Sequence, residues 1–462
     1  MGGGLSKPSQ TPGRGMTKVR QWIAEGDRFL SMGVDRAAAA IECYERAIEC
    51  GKQTFTTFVP DCAHLLGWAW MNHGNAWMLY DTADSVARAI DSFQRAEPYF
   101  LHLNASNKDK YLIDAGALYA NLGQAYFRLG NPDSMAKVLD YYEQANAILK
   151  RLPWESNRRY RHHLAALWMN RGNLYWAPHT ILPRDEAVRC FRLAIGYGMG
   201  LSTKEAPEAM LLANMWTNYG NLLKDSDHET DHQEAVLCYI RAICLLESHT
   251  QNALSATFEL AAVLSNLANL RAETIESERQ FEKVVDGAYR ALLLLEGHEH
   301  THQLAAQISL QARRALCQAY GHWLYQTSEE VQADLYQDAT DAVDEALALI
   351  RFWEQVGQSF LRPLASRFFR LGEQLYRQRQ PRFLAEFILE TLDPARSPGS
   401  LHGEAELMTI ARESLQEAIT YADQHCYYID ETADTSDTLE IYRSYQDALE
   451  RLDHIEGGQR RK

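Results

Sequence analysis

The chain has 462 residues, 46% of them hydrophobic and 23% charged, the balance of a globular protein. Its 46 basic and 61 acidic residues leave a formal charge of −15. That balance speaks against nucleic acid, which needs a basic face, and favours neutral to basic protein or peptide partners. No stretch approaches the ~20 uninterrupted apolar residues of a membrane-spanning helix, so no transmembrane segment is expected.

Residues 1–16, opening MGGGLSKPSQTPGRG, are rich in glycine and proline and lack the apolar core of a secretory signal. They read as a disordered N-terminal segment. MGGGLSK fits the short myristoylation pattern, which would place a weak, single-chain lipid anchor at Gly2.

From residue 17 the sequence repeats itself. WIAEGDRFL is followed by WMNHGNAWM, YANLGQAYF, WMNRGNLYW, WTNYGNLLK and LSNLANLRA. Their small residues are Gly26, Gly74, Gly123, Gly172, Gly220 and Ala268, spaced 48, 49, 49, 48 and 48 residues apart. Gly321 and Gly372 continue the row at looser steps of 53 and 51. A second row holds Ala47, Ala96, Ala145, Ala194, Ala242 and Ala291, extended by Ala346 and Ala418. Seven residues earlier come Ala40, Ala89, Ala187, Ala235, Ala339 and Ala411, and three earlier come Tyr44, Phe93, Tyr142, Phe191 and Tyr239. Offsets of three and seven share one helical stripe, so each unit is a helix pair. The first helix carries W-x-N-x-G-N and the second A-x3-[FY]-x2-A.

A helix-interior glycine costs about 0.5–1 kcal/mol against alanine, so glycines in register mark close packing between helices. Ala268 in the same slot argues against a phosphate loop, which needs glycine for its dihedrals and a preceding strand. Cys43, Cys190 and Cys238 share one slot of the second helix. They read as small buried residues of a reducing, cytoplasmic setting rather than as ligands or disulfide partners.

The Trp, Gly and aromatic pattern of the first helix and the Ala, aromatic and Ala pattern of the second resemble the tetratricopeptide repeat. The usual unit has ~34 residues, and these are about 49. The resemblance implies an all-α, right-handed superhelical solenoid over residues 17–428, with about eight antiparallel helix pairs starting near 17, 59, 108, 156, 204, 250, 302 and 358. Residues 380–403 are expected to hold an inserted helix and loop, and residues 436–456 a C-terminal capping helix over the last repeat.

Packing does not account for two rows of amides. Asn72, Asn121, Asn170, Asn218 and Asn266 stand two residues before the small slot, and Asn75, Gln124, Asn173, Asn221 and Asn269 one after it. Three apart, the two slots share one side of the helix. Asparagine is a mediocre helix former, so ten such amides need a gain. The first row is similar to the asparagine ladders of the O-linked N-acetylglucosamine transferase and kinesin light chain repeats. That resemblance implies first helices on a concave face and amides that hold the backbone of an extended peptide. A primary amide pairs with both N–H and C=O of a peptide unit whatever its side chain. Flanking Met71, Met78, Met169, Phe127 and Trp176 would add apolar contact, and Glu25, Asp27 and Arg128 charge. Trp70, Tyr119, Trp168 and Trp216 read as inter-repeat core. The bland alternative is that the amides bond neighbouring helices.

Three polar motifs follow in the chain. RRYRHH, Arg158 to His163, is a basic patch at a helix entry, read as solvated. HETDH, His228 to His232, matches the zinc-protease H-E-x-x-H but lies in a polar connection, with Asp231 inside it and no third ligand in view. HEHTH, His298 to His302, reads as a solvated loop. The expectation is therefore a non-catalytic interaction scaffold without metal or cofactor. Its rivals are a structural, self-associating array, a ligand-gated regulator and a metallopeptidase built on His228 and His232.

Overall fold

The computed structural model describes residues 12–54, 59–80, 82–104, 109–130, 134–177, 183–251, 253–324, 329–379, 381–394, 396, 401, 405–426 and 435–459. The expected anchor at Gly2 and part of the 380–403 insertion lie outside them. The secondary structure of the described residues is helical, and the chain divides into two compact units, Met1–Leu222 and Leu223–Lys462. No helix among the described residues is long and apolar enough to cross a membrane.

The first unit pairs α1 (Pro12–Leu30) with α2 (Ala37–Thr54), α3 (Pro60–Met78) with α4 (Ala83–Asn104), α5 (Asp109–Leu129) with α6 (Met135–Leu149), and α7 (Arg158–Trp176) with α8 (Arg184–Gly198). It ends in α9 (Ala206–Lys224), which runs across the boundary. Leading helices α1, α3, α5 and α7 touch in sequence, and each trailing helix packs on the next leading one. α1 starts at Pro12, so Pro12–Met16 are helical where the glycine and proline content predicts disorder. Proline costs little in a first turn, whose N–H groups have no intrahelical partner.

The second unit opens with α10 (Glu229–Leu246) and pairs α11 (Leu254–Ala272) with α12 (Glu278–Leu295), α13 (Gln303–Trp323) with α14 (Glu329–Gln355), and α15 (Ala365–Arg379) with α16 (Pro381–Leu392). α17 (Ala405–Cys426) pairs with α18 (Thr435–Gln459), which also packs on α16. The looser spacing around Gly321 has a plain origin: α13 and α14 have 21 and 27 residues, against 19 and 18 in the pair before.

Local chemistry sets the helix ends. Asn157 caps α7 by accepting the Arg159 backbone N–H at 2.9 Å, satisfying one of the donors a helix start leaves open. Gly130 at φ 66 and Gly297 at φ 78 stop α5 and α12 in the left-handed region that side chains disfavour. The stripe of the trailing helices is the core. Ala40, Ala47, Ala89, Ala96, Ala145, Ala187, Ala194, Ala235, Ala242 and Ala291 are fully buried, as are Tyr44, Phe93, Tyr142, Phe191 and Tyr239. Cys43, Cys190 and Cys238 are buried free thiols in that stripe. Burial pushes the last two up to about 11 and about 12, which makes them poor nucleophiles.

Candidate functional site

In the first unit the aromatic ring of each trailing helix lies directly on the glycine of its leading helix. A Cβ on Gly26 would stand 2.7 Å from Tyr44 Cε1. On Gly74 it would stand 2.5 Å from Phe93 Cε1, on Gly123 2.5 Å from Tyr142 Cε1, and on Gly172 2.7 Å from Phe191 Cε1. The glycine is required because a ring occupies the place of its side chain. In the second unit, where the slot is Ala268, the aromatic position is Ala288, and the nearest atom to a Cβ on Gly287 is the Ala268 methyl carbon at 3.9 Å.

Whether that ring is tyrosine or phenylalanine decides what the neighbouring amide does. Tyr44 donates its hydroxyl to Asp27 Oδ1 at 2.7 Å, and Tyr142 donates to Gln124 Oε1 at 3.2 Å, each occupying the residue just after the glycine. Phenylalanine cannot, so Asn75 and Asn173 are left to the next repeat. Asn121 Nδ2 donates to Asn75 Oδ1 at 2.9 Å, and Asn218 Nδ2 donates to Asn173 Oδ1 at 3.1 Å. Asp27, a carboxylate with more acceptor capacity, takes Asn72 Nδ2 as well, at 2.9 Å. Within α3, Asn75 Nδ2 donates to Asn72 Oδ1 at 3.1 Å. The result is a relay, Asp27–Asn72–Asn75–Asn121, tying three leading helices in register.

The relay has one gap. By position, Asn170 should donate to Gln124, but Gln124 already accepts from Tyr142, and the Asn170 side chain makes no hydrogen bond among the described residues. Asn221 and Asn266 are both engaged. In the second unit, Asn269 Nδ2 donates to Ser265 O and Gln311 O, both at 2.8 Å, and its buried Oδ1 has no partner. Asn72 and Asn269 are buried, while Asn75, Asn121, Gln124, Asn170, Asn173, Asn218, Asn221 and Asn266 are half-buried.

The flanking residues divide. Met71 is buried; Met78, Phe127, Met169 and Trp176 are half-buried. Arg128 donates to Met78 O at 3.0 Å, and Asp27 belongs to the relay. Trp70 and Trp168 are buried beneath cations, with Lys52 and Arg95 5.1 and 5.2 Å from the first ring and Lys150 and Arg171 5.7 and 4.7 Å from the second.

The polar motifs are more ordered than their composition suggests. Arg158 pairs with Glu208 at 3.0 Å, and Arg159 with Asp114 at 3.2 Å, beside a 2.6 Å contact from His64 Nε2 to the same carboxylate. Arg161 donates to Glu155 O at 2.6 Å, so the patch is tied into the unit while Arg158 and Arg159 stay exposed, as read from the sequence. Burial, aided by His162 and Arg159, depresses His163 to about 4. HETDH is not a free connection. His228 is the exposed N-cap of α10, Glu229–His232 form its first turn, and His232 Nε2 meets Ser226 O at 2.7 Å. HEHTH is likewise packed: His298 and His302 stand edge-on to Phe258, each at 5.5 Å. Among the described residues no three His, Cys, Asp or Glu side chains gather as a metal site.

No family model matches the sequence, and no curated protein matches it. Among solved structures the chain is similar to a Rap protein complexed with competence and sporulation factor, at 14% identity over 97% of this chain and 99% of that one, with a TM-score of 0.43. It is also similar to the apo form of RapI, at 13% identity over 82% and 97% with a TM-score of 0.35. Yeast Tom70 follows, at 14% identity over 96% and 97% with a TM-score of 0.20. Likenesses at this level bear on neither partner nor activity.

Proposed function

We propose that the chain is a non-catalytic, tetratricopeptide-type interaction scaffold that holds an extended segment of a partner protein along the leading helices of its first unit. The observation that carries this reading is Asn170, a half-buried amide with no partner among the described residues, in a row whose neighbours are bonded. The relay orients the other amides without exhausting them. A primary amide has two N–H donors and two acceptor lone pairs. Asn75 uses one of each in the relay. The remaining valences match the N–H and C=O of a peptide backbone. At about 1 kcal/mol net per bond, several such contacts are consistent with micromolar binding once ordering costs are counted.

A second reading is favoured by the relay itself: the amides serve only to lock repeat to repeat, and the protein is an assembly element. Replacing Asn121, Asn170 and Asn218 together with alanine separates the two. Retained folding with loss of a captured partner supports the scaffold; a collapsed melting temperature with binding in proportion to folded protein supports the purely structural ladder. Neither reading uses a metal or cofactor, and both suit a reducing, cytoplasmic setting.

A further inference from the structure

The second unit holds a cleft of about 380 Å³ lined by Glu273, Gln318, Gly321, His322, Leu371 and Leu375, among others, with Glu273 its one carboxylate. Three features set it apart. Gly321 occupies the repeat's small slot, yet a Cβ built on it meets no atom within 4 Å. The aromatic position of that repeat is Val343, so the ring that fills the first-unit slots is missing. Gln318 Oε1 is buried and has no hydrogen-bond partner among the described residues.

Cations stand beside it. Arg314 lies four residues before Gln318 and seven before Gly321, and Arg367 four before Leu371. On a helix those offsets share a stripe, about one turn, ~5 Å, from the cleft. Arg271 adjoins Ala272 on α11. None of the three guanidinium groups makes a hydrogen bond or ion pair among the described residues. Burial, then repulsion from Arg367, pulls Arg314 below the usual arginine range, with Glu273 the one carboxylate opposing the shift; burial alone does so for Arg271. Arg367 is exposed, but Arg271 and Arg314 are half-buried, and a partly desolvated, unpaired guanidinium is stabilised by an anion placed beside it.

We propose that this cleft is a second ligand site, which seats an apolar side chain of an acidic peptide while Arg314 and Arg367 take the carboxylate beside it. The overall charge of −15 argues the other way only at long range, because salt screens charges more than ~8 Å apart. The proposal rests on the scaffold reading in that its ligand is a partner segment, but it does not use the amide relay.

The test is selection from a displayed library of random decapeptides on the full chain, followed by fluorescence titration of the enriched peptides. Enrichment of acidic sequences with an apolar residue is expected. Arg314→Gln and Gly321→Leu should each weaken them about tenfold or more, as expected for losing a charge-assisted contact or a filled pocket. Both variants should fold, since one removes a desolvated charge and the other adds a side chain to open space. Gln318→Leu should raise the melting temperature and weaken the peptide, whereas a glutamine with a merely structural role would lose stability. Enrichment of basic sequences, no enrichment, or binding indifferent to these variants overturns the site. Binding that ignores them but falls with Asn170→Ala removes this site and leaves the scaffold standing.

Discussion

The same small slot is solved one way along the first unit and another way at Gly321 of the second. At Gly74, Gly123 and Gly172 a ring from the partner helix takes the place of a side chain, and the helix pair is sealed. At Gly321 no atom comes near, and a cleft opens beside it. A glycine in register is therefore not one kind of residue: along the first unit, and at Gly372 beneath Phe387 in the second, it is imposed by packing, whereas at Gly321 it leaves room. In the first unit the amides bond one another from repeat to repeat. In the second, Gln318 Oε1 and Asn269 Oδ1 are buried without partners among the described residues, as is Asn146 Oδ1 in the first.

Filling the two kinds of slot probes this contrast most strongly. Gly123→Val must displace Tyr142 and is expected to cost about 3 kcal/mol, the upper range for overpacking a core; Gly321→Ala should instead gain about 0.5–1 kcal/mol, as helical glycine to alanine does. Denaturant titration followed by tryptophan fluorescence reads both, and equal losses at the two sites would erase the distinction.

Next in size is the relay. Asn75→Ala removes bonds to Asn72 and Asn121 together and should destabilise the first unit by about 1–3 kcal/mol, the cost of leaving partners unsatisfied. An unchanged midpoint would mean that the amides are not coupled.

Acid should act on the first unit through His163. Its folded pKa of about 4 lies below the ordinary imidazole value of 6.5, so the unfolded chain binds the extra proton between those values. Stability is thus full above pH 6.5 and declines as the pH falls toward 4. His163→Gln should flatten that slope, and NMR titration of the imidazole should place its midpoint near the lower value.

The smallest effect is the most specific. Tyr142→Phe forfeits one hydrogen bond but frees Gln124 to accept from Asn170, so the net change should be under about 1 kcal/mol. A structure of that variant should show the new Asn170–Gln124 bond; continued separation would mean that ring chemistry does not control the relay.

The helix pairs were legible because duplication writes them as two rows with fixed offsets, and both rows are buried as that spacing requires. The amide rows were visible too, but their pairing was not. It turns on whether residues 93, 142 and 191 carry a hydroxyl, a difference that means nothing until the ring is known to lie on the glycine. The order in Arg158–His163 and Glu229–His232 was hidden for a similar reason. Their partners, Glu208, Asp114 and Ser226, are recognisable only once the helices are placed. The signal for the cleft was an absence, Val343 where an aromatic belongs, beside three arginines with no periodic mark.

The most direct measurement is a paired assay of Asn170→Ala, one arm thermal unfolding and the other retention of a captured partner. Since this amide makes no bond among the described residues, the melting temperature should stay put while partner retention falls severalfold. A lowered melting temperature, or full retention of the partner, would contradict the scaffold reading.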